Sequence, residues 1–233
     1  MRSFEIQNRM QESGTLFVVA TPIGNLGDMT LRALETLKAV DAILCEDTRV
    51  TSRLLAHYEI KRPLVSCHEH TDDNRLKQLI DRLGQGESLA FVSDAGTPGL
   101  SDPGNKLVSL ALASDIAVIP IPGVSAAATL VSVAGIDMRE FMFLGFPPHK
   151  KGRETFFRKV AAAEMPVMYY ESPHRVLKNF ELLASFASGK RVIIGRELTK
   201  LFEEIVRGTL EETLAHFGEH PEKVKGEFSV IVY

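Results

Sequence analysis

Short apolar runs recur through the first half of the chain at Leu16–Ala20, Ala42–Cys45, Leu64–Ser66, Leu89–Val92 and Ala117–Ile119, each bounded by turn residues. Between them, apolar positions return with helical spacing near Thr30–Ala39, Thr48–His57, Asn74–Leu83 and Asn105–Ser114. Strands that are apolar throughout, alternating with amphipathic helices, predict a parallel sheet covered on both faces by right-handed crossovers.

The second half reads differently. Strand-like runs at Phe141–Gly145, Val167–Tyr170, Val192–Gly195, Ile205–Gly208 and Phe228–Tyr233 alternate with helical patterns near Ser125–Ala134, Arg153–Ala163, Val176–Ala187 and Leu210–Phe217. The runs at 192–195 and 205–208 leave no room for a covering helix, so that pair is expected to be antiparallel and the sheet mixed. The change of pattern falls at Pro120–Gly123. The expected organisation is a polar leader over 1–13, an N-terminal α/β domain over 14–121 and a C-terminal mixed α/β domain over 122–233. Residues 116–136 carry no charge and are long enough to span a bilayer, but Pro120, Pro122 and Gly123 break them into a strand and a small-residue helix. The leader lacks the apolar stretch of a signal peptide. A soluble cytoplasmic protein without a membrane partner is expected.

With 233 residues, 45% of them hydrophobic, the chain buries a core without staples, and two cysteines make no disulfide framework. A formal charge of −3 argues against a basic coat over the whole surface. The charge is uneven, however. Residues 1–146 hold 13 basic against 18 acidic side chains, and residues 147–233 hold 14 against 12. A locally placed grip on nucleic acid is compatible with that balance.

Candidate chemistry lies in loops that follow strands, where open α/β sheets place their ligands. The segment SDAGTPGLSDPG (93–104) combines glycines that admit close backbone approach with prolines that limit ordering entropy; the alternative is a rigid connection whose aspartates cap the next helix. TPIGNLGD (21–28) is neither a dinucleotide fingerprint nor a P-loop, since the glycine spacing is wrong and no Lys-Ser or Lys-Thr follows. Asp28 is expected to cap the helix near Thr30. PGVSAA (122–127) places small residues at a helix start, for a ligand or for tight helix packing.

Together ATPIGNLGD, CEDTR, SDAGTPGLSDPG, PGVSAA, FLGFPP, YESPHR, RELTKLFEE and KGEF resemble the S-adenosylmethionine-dependent tetrapyrrole methylase superfamily from about residue 14 to 233. Within it they most resemble the branch that methylates the ribose 2′-oxygen of a cytidine in the decoding region of 16S ribosomal RNA. The superfamily's Gly-Asp-Pro triplet stands here as Gly96-Thr97-Pro98. The resemblance implies two α/β domains with S-adenosylmethionine in the cleft between them, a homodimer, and 16S rRNA, assembled in the 30S subunit, as partner. It implies that Gly96, Thr97, Pro98, Leu100 and Ser101 line the methionine side of the cofactor. Ser125 and Ala126 meet it through backbone and hydroxyl, and Tyr170 and Glu171 close over its ribose or adenine. Pro22 and Gly24 form the floor near the methyl group, and Glu227 lies on the last cofactor-facing segment. Members of that branch usually continue past KGEF with a basic helical tail, whereas this sequence stops at Tyr233; either the sequence is a piece of a longer protein or this version lacks the tail, and without it a reduced grip on RNA is expected. The rival readings are a tetrapyrrole C-methyltransferase and a non-catalytic RNA-binding assembly protein.

The charged residues admit two readings each. A ribose hydroxyl needs its proton removed, so Glu46 or Asp47 is a candidate base with Arg49 on an RNA phosphate; alternatively Asp47 caps a helix and pairs with Arg49 or Arg53. His174 and Arg175 grip a phosphate at a helix start, or belong to an ordinary Ser-Pro initiation. Arg196 and Lys200 are substrate contacts or salt bridges. Phe146 with His149, Lys150, Lys151 and Arg153 mixes stacking with basic charge, as single-stranded RNA requires, or forms a solvated turn. Cys67-His68-Glu69-His70 has no second cluster at zinc-like spacing, so no metal is expected; His68 and His70 are read as loop-bonding residues, with His70 a candidate substrate contact.

Overall fold

A computed structural model describes residues 14–101, 104–187 and 189–233, and the expected leader lies outside them. The chain divides after Ser125 into two units, each with its own sheet.

In the first unit β1 (Thr15–Val19), β2 (Ala42–Cys45), β3 (Leu64–Ser66), β4 (Leu89–Val92) and β5 (Ala117–Ile121) form a sheet in the order β3-β2-β4-β1-β5. Every neighbouring pair is parallel, as the continuous apolar runs predict. The connecting helices are α1 (Leu31–Ala39), α2 (Thr48–His57), α3 (Asp73–Gly84) and α4 (Asn105–Ala113). Val19, Ile43, Cys45 and Val92 pack with Leu37 of α1 and Leu55 of α2 in one cluster. Leu16, Leu44 and Phe91 pack with Leu79 of α3 and Leu107 of α4 in another. Each fully buried Leu or Phe of these layers contributes about 1.5–3 kcal/mol. Thr30, not Asp28, caps α1: its hydroxyl accepts from the Ala33 amide at 3.2 Å. Asp28 instead closes a short 3₁₀ turn, Leu26–Asp28, that Asn25 caps.

The second unit contains α5 (Ala126–Ser132), β6 (Met142–Phe143), α6 (Arg153–Ala162), β7 (Val167–Glu171), α7 (Val176–Ala184), β8 (Arg191–Arg196), β9 (Glu204–Thr209), α8 (Leu210–Glu219) and β10 (Phe228–Val232). Its sheet runs β6-β7-β10-β8-β9. β6 lies parallel to β7 and the other pairs are antiparallel, including the expected β8–β9 hairpin. Tyr169, Ile194 and Val230 point from the sheet into a core with Phe157, Phe180 and Phe217 of the helices. α8 begins with a reciprocal capping box between Thr209 and Glu212. No helix among the described residues is long and apolar enough to cross a membrane; the uncharged stretch 116–136 is divided between β5 and α5.

Candidate active site

The order of the first sheet sends the connection after β1 toward β2 and the connection after β4 toward β5, so the connections leave these parallel neighbours in opposite senses. A crevice at the carboxyl edge is the consequence. The loops leaving β1, β4 and β5 are stitched together there. Thr21 and Gly96 exchange backbone hydrogen bonds at 2.9 and 3.0 Å. The Thr21 hydroxyl donates to the Ser93 carbonyl at 3.1 Å, and the Thr97 hydroxyl to the Val124 carbonyl at 2.9 Å. Gly96 sits at φ 81°, where a Cβ would lie 3.3 Å from Ile23 Cγ2. Pro22 and Pro98 are buried, Thr97, Leu100, Ser125 and Ala126 half-buried, and Gly24 and Ser101 exposed. Ser101 also holds a left-handed φ of 63°, a strained choice for a residue with a side chain. Gly24, Gly96, Thr97, Pro98, Leu100, Ser101 and Ser125 thus fall on adjacent loops of one sheet edge. The N-cap of α4 is Gly104, and Asp102 of the aspartate-cap alternative lies outside the described residues.

The loops after β2 and β4 bring carboxylates together. The Asp47 amide donates to Asp94 Oδ1 at 3.2 Å. Burial, then the charges of Asp94 and Glu69, push the Glu46 carboxyl above its ordinary value. Asp47 goes the other way: Arg49 grips it through Nε at 3.0 Å and Nη2 at 2.6 Å, and its pKa falls to about 2. Asp47 also accepts the Arg49 amide as the N-cap of α2. A carboxylate so stabilised is a poor proton acceptor, so the base assignment for Asp47 is corrected to a capping role and Glu46 stands alone. Arg49 keeps an exposed side chain beside that cap.

Asp94 was not singled out by the sequence, although its position is recoverable from register. Cys45 pairs with Val92, so the residues two beyond each strand face one another. Cys67–His70 bonds within its own loop: the His68 amide donates to Thr71 Oγ1 at 2.8 Å, and the His70 amide donates to His68 Nδ1 at 3.2 Å. Among the described residues no group of three or more His, Cys, Asp or Glu is arranged to hold a metal ion.

In the second unit several expected contacts prove to be internal. Arg196 is buried, with Nε on Glu204 at 3.3 Å and the Nη atoms on the carbonyls of Phe202 and Lys225. Its guanidinium is consumed in holding the β8–β9 hairpin, which corrects its reading as a substrate contact. Lys200 bridges Glu197 at 2.7 Å and Glu227 at 3.3 Å, the salt-bridge alternative. Arg175 turns inward, toward the Pro147 carbonyl at 3.4 Å and Glu171 at 4.0 Å, and is corrected likewise. Glu171 is buried, accepting from the Ser172 amide at 2.8 Å and Asn179 Nδ2 at 2.6 Å, with burial raising its pKa. Replacing Arg196 by Met is expected to cost about 2 kcal/mol through lost charged hydrogen bonds. Thermal unfolding checks this; an unchanged melting temperature with weakened RNA binding would restore the contact role.

The basic and aromatic group is open. Phe146 is 53% exposed and its ring stands 5.3 Å from that of Tyr170, which meets Phe143 at 5.2 Å. His149, Lys150, Lys151 and His174 are exposed, and Arg153 is half-buried at the start of α6.

A model of the Tetrapyrrole (Corrin/Porphyrin) Methylases matches residues 15–214. The chain is 45% identical over 233 residues to the ribosomal RNA small subunit methyltransferase I of Halalkalibacterium halodurans, covering all of this chain and 80% of that protein. It is 44% identical over 220 residues to the protein of the same name from Borrelia garinii subsp. bavariensis, covering 93% and 97%. Among solved structures, a cobalt precorrin-4 methyltransferase of cobalamin biosynthesis superposes with a TM-score of 0.69 over 95% of both chains at 16% identity. Uroporphyrin-III C-methyltransferase from Thermus thermophilus gives 0.65 over 94% of both at 16%. At that identity the structures share the fold alone.

Proposed function

The chain belongs to the tetrapyrrole (corrin/porphyrin) methylase family, and from that premise we propose that it methylates the ribose 2′-oxygen of a cytidine in the decoding region of 16S rRNA. The observation that carries this reading is the 45% identity, over every residue of the chain, to a relative named for ribosomal RNA small subunit methylation. The tetrapyrrole neighbours supply no comparable argument, because 16% identity extends to fold only. The proposed methyl donor is S-adenosylmethionine, the acceptor RNA lies in the 30S subunit, and the working form is a cytoplasmic homodimer.

The residues at the carboxyl edge of the first sheet fit that donor. Gly96 makes a left-handed turn packed against Ile23, and the hydroxyl-tethered loops hold that turn in place. Carboxyl groups of Glu46 and Asp94 at the same edge complement a sulfonium cation. The donor supplies an electrophilic methyl group, so the protein has to orient the acceptor and remove its proton. Glu46 accepts the ribose hydroxyl proton. Asp94 helps keep its affinity for that proton high, and Asp47 fixes the start of α2 beside it.

Label transferred from S-adenosylmethionine to small ribosomal subunits lacking the modification, followed by mapping of the sugar, tests the reading. Label on one decoding-region cytidine ribose is expected. Label on a tetrapyrrole instead, or no calorimetric affinity for the donor, overturns it. The exposed Phe146, Lys150 and Lys151 are proposed to grip single-stranded RNA. Replacing both lysines by Ala should raise KM for subunits several-fold, leave kcat unchanged and lower the salt slope of binding by about 1–2. Replacing Phe146 by Ala should weaken binding by roughly 10-fold.

A further inference from the structure

Beside the carboxylate group, on the face of the sheet covered by α3 and α4, lies a cavity of about 210 Å³ that no part of the proposed donor site uses. It is smaller than the roughly 300–1,000 Å³ typical of cofactor and drug-sized pockets, and so suits a single ring. Its floor is apolar: Phe91 of β4, Leu76 of α3 and Leu107 of α4. Gly104 presses on that floor so closely that a Cβ there would lie 2.3 Å from Phe91 Cε1. The rim is polar and of mixed character: the Glu69 carboxylate, the Asn105 amide and the Lys106 ammonium. The Cys67 amide donates to the Cys45 carbonyl at 2.8 Å, which sets the start of the loop that carries Glu69 beside the end of β2 that leads to Glu46.

We propose that this cavity receives the base of the acceptor nucleotide, turned out of its stack, and that it selects cytosine. The inference rests on the RNA-methyltransferase reading and extends it to a base-reading subsite. An apolar floor with hydrogen-bonding groups at the rim is how enzymes acting on single nucleotides hold an extruded base. The pairing edge of cytosine runs from an exocyclic amino donor through a ring-nitrogen acceptor to a carbonyl acceptor. Glu69 accepts from the amino group, a pairing that carboxylates make with cytosine. Asn105 and Lys106 donate to the ring nitrogen and carbonyl. Uracil carries a carbonyl where cytosine carries the amino group, and that oxygen would face the Glu69 carboxylate. Both acidic and basic rim groups already have weak surface partners, Glu69 with His70 at 3.2 Å and Lys106 with Asp73, which a base displaces at little cost.

The test compares small subunits bearing cytidine or uridine at the acceptor position, each with unmodified, Glu69→Gln and Lys106→Met protein. The unmodified protein is expected to favour cytidine in kcat/KM on the order of 10-fold or more. Glu69→Gln should bring the two substrates to within about threefold of each other, and Lys106→Met should lower kcat/KM for both. A Glu69→Gln protein that keeps the full cytidine preference, or an unmodified protein that shows none, overturns the subsite. An unmodified protein that transfers no methyl group to either subunit overturns the RNA-methyltransferase reading itself. Because discrimination is a ratio within one variant, an indirect effect of Glu69 on Glu46 cancels from it.

Discussion

Replacing Glu46 by Gln is expected to lower kcat by about 100-fold or more, the usual worth of a positioned general base. KM for S-adenosylmethionine should stay within about twofold, since no donor-holding loop is touched. The pH dependence carries the sharper signature. Burial and the neighbouring Asp94 and Glu69 raise the Glu46 pKa, so the protonated, inactive form persists to higher pH than for an ordinary carboxylate. The rate of the unmodified protein should therefore rise with pH through that raised value, and Asp94→Asn should shift the rise to lower pH by removing a like charge. In Glu46→Gln the rise should vanish. A variant that keeps both rate and profile would remove Glu46 from the chemistry. Asp47→Ala offers the contrast: it removes the cap of α2 and costs about 1 kcal/mol of stability, while the rise with pH persists, moved slightly lower because Asp47 is the least of the charges that raise the Glu46 pKa.

Replacing Gly96 by Val should weaken S-adenosylmethionine binding by more than about 30-fold in calorimetry. Two effects combine. A φ of 81° is open to glycine and strained for a β-branched residue, by an amount on the order of 1–2 kcal/mol or more. The new Cβ would also stand 3.3 Å from Ile23, before its two methyl groups are placed. Relief requires the loop to move, and the loop is tied to Thr21 through both backbone partners. Thr97→Val separates geometry from strain: it deletes only the hydrogen bond to Val124 and should cost a few-fold. Undiminished affinity in Gly96→Val would remove this loop from donor binding.

The elements that sequence reads best are those whose burial is complete. Ala42–Cys45 and Leu89–Val92 appear as strands with their expected limits because both faces are covered and every residue is apolar. The edge strand β6 is less legible: the apolar run 141–145 shrinks to Met142–Phe143, where pairing exists on one side only. At the site, the glycine- and proline-rich loops announce themselves through backbone chemistry. What the sequence hides is adjacency. Asp94 meets Asp47 through the β2–β4 neighbourhood, which no local pattern writes, and Arg196 meets Glu204 through the register of the β8–β9 hairpin, whose pairing is legible but whose register is not. Charge alone therefore made Arg175 and Arg196 look like RNA contacts, when each guanidinium serves carbonyls and carboxylates of its own unit.

The place of β10 in the second sheet has a consequence for synthesis. It lies between β7 and β8, hydrogen-bonded to both, and it follows them in sequence. A nascent chain that has emerged only through the short 3₁₀ turn at Pro221–Lys223 holds two half-sheets with a one-strand gap and an exposed apolar seam where Val230 and Val232 belong. The first unit has all its strands by residue 121 and can close early, whereas the second must wait for β10 at Phe228–Val232. A protein proposed to act on ribosomes would thus complete its second sheet more than a hundred residues of synthesis after its first.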